Sequence, residues 1–518
     1  MSIDTSHRQI AKDAGVIGFA TLLSRILGFV RDVTIARLFG TAIYAQAFVI
    51  AFRIPNLFRD FLAEGAANAA FVPVFSEYKL RHTKEEFWEL TNTLLNMLLV
   101  ILVLVVILGV LFSPLIVRLI APGFTAEPDK LAATILLSRL IFPYLLLISL
   151  AAYSMGILNS LQHFSIPAFA PCLLNISIIV CAYLFGEGIT GLATGILIGG
   201  FLQLAIQVPV LYKKGFRLHL FRRFRDPIAY RIGKLMVPRV ASTSIYQLNN
   251  FVDSIFGSLA WIVGEGGVAV LYFSYRLIQF PLGIFSTALS QAILPALSIQ
   301  ALAEDGAAIK RTLCWGMRAT FFIVLPVSVI FMFFARPIIA TLFGGGRFDT
   351  RSVFLTAQAL FFYSIGLFAY GATKILQSGF FALKDTVTPT KISGMALIIN
   401  VLLNAIFIFP LKIAGIALAT SISGVVSFMF LFALLEKKIG DFGTKEIAVS
   451  FVKILLAAII MGALSLFFYE WVSLNFALPR FIWLGCAFIF ALLSYAGICF
   501  LLRVKEIGEL WQWISQRR

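Results

Sequence analysis

Charge is scarce in this sequence. Only 13% of its residues are Asp, Glu, Lys or Arg, where a soluble globular chain carries about a quarter. That shortage argues against a soluble enzyme, a disordered chain and a nucleic-acid-binding domain. Acid is scarcer than base: 25 Asp and Glu stand against 42 Lys and Arg, for a net charge of +17. The four histidines (His7, His82, His163, His219) are scattered, and no HExxH pair occurs. A metal centre is therefore not expected. The five cysteines are odd in number, lack close-pair spacing and sit in or beside apolar runs. They read as small buried hydrophobes. No Walker A sequence supports ATP hydrolysis. No Ser/His/Asp set or pair of carboxylates in one polar segment points to hydrolysis or sugar transfer. Residues 1–13 are polar and the first apolar run is broken by charge, so no cleavable leader is expected.

What the chain has instead is apolar length. Hydrophobic residues make up 60% and the mean hydropathy is +0.95. The apolar residues come in long runs, and a membrane-crossing helix needs about 20 of them. Candidate spans fall near 14–39, 44–72, 91–112, 133–158, 166–185, 190–212, 235–259, 267–296, 316–335, 353–379, 392–410, 413–435, 447–469 and 481–502. Lys and Arg collect in cytoplasmic loops. An even number of spans puts both termini on one side. That side's loops hold 24 Lys and Arg against 7 on the other, which predicts cytoplasmic termini. The densest run, Lys213 to Lys234, reads first as a topology anchor and second as a headgroup-binding surface.

The chain also repeats itself. Phe112-Ser113-Pro114-Leu115-Ile116-Val117-Arg118-Leu119 parallels Ala335-Arg336-Pro337-Ile338-Ile339-Ala340-Thr341-Leu342. Ala70–Ser76 parallels Ala292–Ser298, and Ile157–Ser160 parallels Ile375–Ser378, with offsets of 218 to 223 residues. The expected fold is an all-α polytopic membrane protein of about 14 helices, with two parallel six-helix lobes around a central cleft and two further C-terminal helices. The lobes would be 1–234 and 235–440, followed by 441–518.

Eleven Lys and Arg lie in or at the ends of spans, against four acids: Asp32, Asp60, Glu64 and Asp253. Among the basic residues are Arg37, Arg139, Arg239, Arg318, Lys374 and Lys453; several of the eleven are near span ends, where long side chains can snorkel. Arg25, Arg31, Arg53, Arg59 and Arg276 are too deep for that. An arginine at the bilayer centre costs about 2.5–3.5 kcal/mol on insertion scales. Each should therefore face protein, water or an anion, and the guanidinium fork suits carboxylate or phosphate. Arg53 and Arg276 occupy matching places in the repeat, with Pro55 and Pro281 close behind. Arg25 and Arg31 are six residues apart, as are Arg53 and Arg59. Such pairs point about 120° apart on a straight helix. Some of these arginines are thus open to internal pairing, Asp32 with an Arg of the second span or Glu64 with Arg31. Asp253 reads as a cation ligand, a proton site or an arginine partner. Asp385, ahead of Thr386-Val387-Thr388-Pro389, reads first as a helix cap.

These residues carry a resemblance. Ser24-Arg25-Ile26-Leu27-Gly28-Phe29-Val30-Arg31-Asp32 resembles the MurJ (MviN) family. So do Phe52-Arg53-Ile54-Pro55-Asn56-Leu57-Phe58-Arg59 and Ala63-Glu64-Gly65-Ala66. Ala121-Pro122-Gly123-Phe124, Ile166–Pro171, Tyr275–Pro281 and Asp385–Pro389 extend it over most of the chain; the last two spans carry no matching motif. The resemblance implies a lipid II flippase of the bacterial inner membrane, in the multidrug/oligosaccharidyl-lipid/polysaccharide exporter superfamily. It implies movement of the undecaprenyl-diphosphate-linked peptidoglycan precursor to the outer leaflet by alternating access. It assigns a role to arginines matching Arg25, Arg31, Arg59 and Arg276, and makes Arg53 a position that is basic in relatives. Implied partners are lipid II, membrane lipids and the cell-wall synthesis machinery, with no nucleic acid and no enzymatic cofactor. Na+ or H+ is the candidate coupling ion. Asp253 and Asp385 are the matches for a sodium site, although Phe381 replaces a polar ligand nearby. Relatives can carry an acid where this chain has Gln46, Tyr275 and Gln279. The alternatives are a flippase for another polyprenyl-linked saccharide, or a cation-coupled exporter of the same fold. A membrane enzyme on polyprenyl-phosphate would need a carboxylate or metal-bearing loop; a scaffold would not need deep arginines.

Overall fold

A computed structural model describes residues 3–59, 72–186, 188–219 and 247–509, with positions 228 and 234. The side chains of 3–14, 58, 59, 72 and 73 fall outside that description. Helices joined by turns and short loops make up the described residues, with no strand among them. The chain divides into two compact units. One is Met1–Ala260 with Gly346–Phe348; the other is Trp261–Gly345 with Asp349–Arg518.

The first unit contains α1 (Ile3–Phe39), α2 (Ile43–Arg59), α3 (Val72–Arg81), α4 (Lys84–Leu111), α5 (Ser113–Ile120), α6 (Pro128–Ser160), α7 (Ser165–Leu184), α8 (Ile189–Ala205) and α9 (Val208–Lys214). The start of α4 shows how local chemistry sets an element. The Thr83 hydroxyl accepts from the Glu86 N–H, and the Glu86 carboxylate accepts from the Thr83 N–H. This reciprocal cap satisfies two otherwise orphaned donors. Beyond it, Val100, Ile101, Leu104, Ile107, Leu108 and Leu111 remain exposed. An apolar face of that extent suits a lipid surround better than water.

The second unit contains α10 (Gly267–Pro281), α11 (Thr287–Leu302), α12 (Gly306–Phe333), α13 (Ala335–Leu342), α14 (Thr350–Ile365), α15 (Leu367–Ala382), α16 (Val387–Leu411), α17 (Ile413–Ile439), α18 (Thr444–Asn475) and α19 (Arg480–Leu501). A five-residue π turn, Leu282–Ser286, joins α10 to α11 directly after Pro281. Proline at this point removes a backbone donor, and wide turns of this kind interrupt helices where the hydrogen-bond ladder is disturbed. Phe321 anchors an aromatic core, in edge contact with Phe451 at 5.0 Å and Phe428 at 6.3 Å.

Ten helices among the described residues are long and apolar enough to cross a bilayer, and an eleventh results if α14 and α15, bent by 42° at their junction, form one span. Gly366 sits at that bend, where a Cβ would lie 2.7 Å from the Ser421 Cα. The expected spans at 14–39, 44–72 and 235–259 are not among the ten. The apolar run of α1 is broken by Arg25, Arg31 and Asp32. The second run is described only to Arg59, and most of the third lies outside the described residues.

The internal repeat has a structural counterpart. The paired segments Phe112–Leu119 and Ala335–Leu342 fall, to within one residue, on two eight-residue helices, α5 and α13. Each follows a 28-residue helix, α4 or α12. Phe112 and Phe334 break the preceding helix with similar backbone angles, φ −88° and −105°.

Candidate functional site

In the first unit, α1 presents its two arginines differently. Arg25 is exposed, whereas Arg31 is only 5% exposed. This follows from their spacing, which turns them to different faces of one helix. Arg31 Nε and Nη2 donate to Asp32 Oδ1 at 3.0 and 2.7 Å. Its Nη1 donates to Asn175 Oδ1 at 3.1 Å. Its guanidinium carbon lies 5.8 Å from the Phe52 ring centroid. Asp32 is fully buried, so burial and pairing go together, as a charge in a low-dielectric surround requires. One partner of Asp32 is thus its own neighbour on α1.

Asn175 sits on α7, four residues after Pro171. Its Nδ2 donates to the Ser24 carbonyl at 3.2 Å and to the Pro171 carbonyl at 3.3 Å. One amide thus links both helices and orients the Arg31 fork.

Arg53 on α2 is half-buried and donates to the Asn250 carbonyl and the Ser254 hydroxyl. It also lies 6.0 Å from the Phe251 ring centroid. Asp253, in the same helical segment, is 8% exposed. Arg59 ends α2, with its side chain outside the described residues, and Glu64 lies outside them altogether. Both α1 at Gly28 and α2 at Pro55 remain helical.

In the second unit, Arg276 is half-buried on α10, five residues before Pro281. The neighbouring Tyr275 packs on Tyr363 at 5.4 Å between ring centroids. Asp385 precedes α16 and accepts from the Thr388 N–H at 3.0 Å and the Thr388 hydroxyl at 2.9 Å. Lys438 Nζ donates at 2.7 Å to Oδ2, the oxygen that also accepts from the Thr388 hydroxyl. The Lys438 ammonium and the Thr388 N–H hold this carboxyl down at about 2.

Two features of the second unit carry no clear mark in the sequence. Lys374, grouped by sequence with cations in or at the ends of spans, lies inside the 16-residue α15 and donates to the Thr287 hydroxyl at 2.7 Å. Asn400, Asn404 and Thr420 form a buried polar chain between α16 and α17. Asn404 Nδ2 donates to Asn400 Oδ1 at 3.0 Å, and Asn400 Nδ2 donates to Thr420 Oγ1 at 3.0 Å. Two asparagines four apart share a helix face, which is the signal that could have found them. Among the described residues no group of three or more His, Cys, Asp or Glu is placed to hold a metal ion.

Long apolar helices and charged side chains held inside them by specific partners define a multi-pass membrane protein, and its fold is that of a transporter. The family described as "Lipid II flippase MurJ" matches residues 35–486. The probable lipid II flippase MurJ of Buchnera aphidicola subsp. Acyrthosiphon pisum (strain APS) is 38% identical over 450 residues, covering 86% of this chain and 87% of that one. The lipid II flippase MurJ of Burkholderia cenocepacia is 33% identical over 469 residues, covering 89% of each. The chain belongs to the MurJ lipid II flippase family, a family of transporters and not enzymes. A solved lipid II flippase MurJ in an inward closed conformation superposes with a TM-score of 0.79 at 27% identity, covering 94% of this chain and 98% of that one. An inward-facing multidrug resistance MATE transporter of the MOP superfamily gives 0.69 at 15% identity, covering 81% and 96%. The second likeness is one of fold alone.

Proposed function

We propose that this protein moves lipid II, an undecaprenyl-diphosphate-linked saccharide-peptide, from the inner to the outer leaflet of a bacterial inner membrane by alternating access. Both termini are cytoplasmic in this reading, as the excess of loop Lys and Arg supports. Arg25, Arg31, Arg53, Arg59 and Arg276 hold the anionic diphosphate and peptide. Membership of the MurJ family over residues 35–486 is the observation that carries the reading. Arg25 supports the binding role most directly, because its charge is exposed among apolar neighbours of α1 such as Leu22, Ile26 and Val30. Asp253 serves as the cation- or proton-sensitive group, supported by its burial. Asp32, Glu64 and Asp385 serve gating or ion coupling, with Na+ or H+ as the coupling ion. Within this set Asp32 is the acid that balances Arg31. Contact with cell-wall synthesis proteins belongs to the same reading.

The test is rescue of a flippase-depleted bacterium, scored by lipid II accumulating on the inner leaflet. Arg→Ala at Arg25, Arg31, Arg59 or Arg276 should abolish rescue while the protein still inserts. Lysine should restore only part, because it keeps the charge but loses the planar two-pronged fork. Full rescue by all four alanine variants would overturn the binding assignment.

A further inference from the structure

The last two spans, α18 and α19, lie outside the duplicated part of the chain. Within the second unit, α18 packs chiefly along α12 and against α19. Apolar packing alone holds helices weakly in place in a bilayer, because lipid tails are as apolar as the helix faces. Something polar must fix the register of this hairpin, and Arg318 is placed to do so.

Arg318 lies on α12 and is 7% exposed. Its Nε donates to Glu506 Oε1 at 2.6 Å, and its Nη2 donates to Glu509 Oε1 at 3.0 Å. Its Nη1 stands 3.8 Å from Glu446 Oε2, in the first turn of α18. Glu506 is itself buried, at 6% exposure, and also accepts from the Ser450 hydroxyl of α18 at 2.6 Å. Lys453 of α18 donates to the Leu502 carbonyl at 3.0 Å, which caps the end of α19. Val504 and Cys499 are buried in the same core as Ile447 and Ile454. One guanidinium therefore gathers carboxylates from before α18 has completed a turn and from after α19 has ended.

We propose that Arg318 is a positioning residue that fastens the α18–α19 hairpin to α12, so that the hairpin travels with the second unit as one body while substrate is moved. The transport part of this statement rests on the flippase reading; the fastening does not. A buried ion pair is weak evidence for net stability, but removing one partner strands the other charge and is strongly destabilising. Losing Arg318 would therefore strand the Glu506 and Glu509 carboxylates and release the segment that follows α19.

Two measurements test it. The first is amide hydrogen exchange of residues 503–509 in the full chain, in detergent and without substrate. Arg318→Gln should speed exchange there about a hundredfold, and Arg318→Lys by less. Unchanged exchange in Arg318→Gln overturns the fastening, whether or not the chain moves lipid II. The second is a cross-link between α12 and the start of α18. A Cβ at Gly443 would lie 3.4 Å from the Cys314 Cβ, close to disulfide range. Lipid II translocation by Gly443→Cys protein in liposomes should be equal before and after oxidation. Loss of translocation on oxidation overturns the joint movement. Gly443 has φ +97°, so the variant risks misfolding; in that event the exchange comparison decides alone. A wild-type chain without translocation would refute the flippase reading and leave the exchange result standing.

Discussion

Arg31 and Asn175 are joined by a hydrogen bond of 3.1 Å across 144 residues of sequence. The amide accepts from one prong of a buried guanidinium whose Nε and Nη2 donate to Asp32. Asn175→Leu should remove that charge-assisted bond at a cost of about 2 kcal/mol, read as a lower melting temperature in detergent. Asn175→Asp adds a second carboxylate beside Arg31 and cancels its positive character. It should weaken lipid II binding more than Asn175→Leu does. If both variants bind lipid II like the parent, Arg31 does not meet the substrate's anion.

Topology can be read by labelling. In a chain cleared of its native cysteines, His219→Cys should react with an impermeant thiol reagent from the cytoplasm, and Glu265→Cys, exposed beside the buried Val263, from the opposite side. The reverse pattern would invert the assignment of both termini.

Asp253→Asn keeps the shape of a buried side chain and removes its charge. Transport should then lose its dependence on a Na+ or H+ gradient. An unchanged ion dependence would free Asp253 of any coupling role.

The Asp385–Lys438 pair makes a prediction about pH. Lys438 and the Thr388 N–H depress the folded carboxyl from its ordinary 3.8 to about 2. A depressed acid contributes stability above its unfolded value and loses it as pH falls through the folded value. The melting temperature lost in Asp385→Asn should therefore be equal at pH 5 and pH 8. A difference between those two values would mean that another group titrates with the pair.

Much of the helical plan was legible because hydropathy and length set the membrane spans. The opposed exposures of Arg25 and Arg31 were legible too, since six residues do not return to the same helix face. The pairing of Arg31 was not. Adjacent side chains on a helix point apart, so a bond from Arg31 to Asp32 is the last one looked for, and a long arginine can still fold back to make it. Arg318 looked like a cation snorkelling to an interface, because its partner Glu506 lies 188 residues away. Pro281 marked a weakened helix, but a proline does not say whether the helix kinks, breaks or widens. Asp385 was readable as a cap from Thr386–Pro389, and it does cap; its tie to Lys438 depends on α17 folding back beside α16.

The π turn at Leu282–Ser286 has a consequence for how the second unit tolerates change. A wide turn holds one more residue than an α-helix of the same rise, and each residue advances the helix by about 100°. Deleting one residue between Leu282 and Ser286 would give a smoother helix with its downstream half rotated by that angle. Thr287 would swing off Lys374, and every buried position from Ser290 to Leu302 would exchange faces. The most regular-looking repair of this helix is thus the one its neighbours can least accommodate.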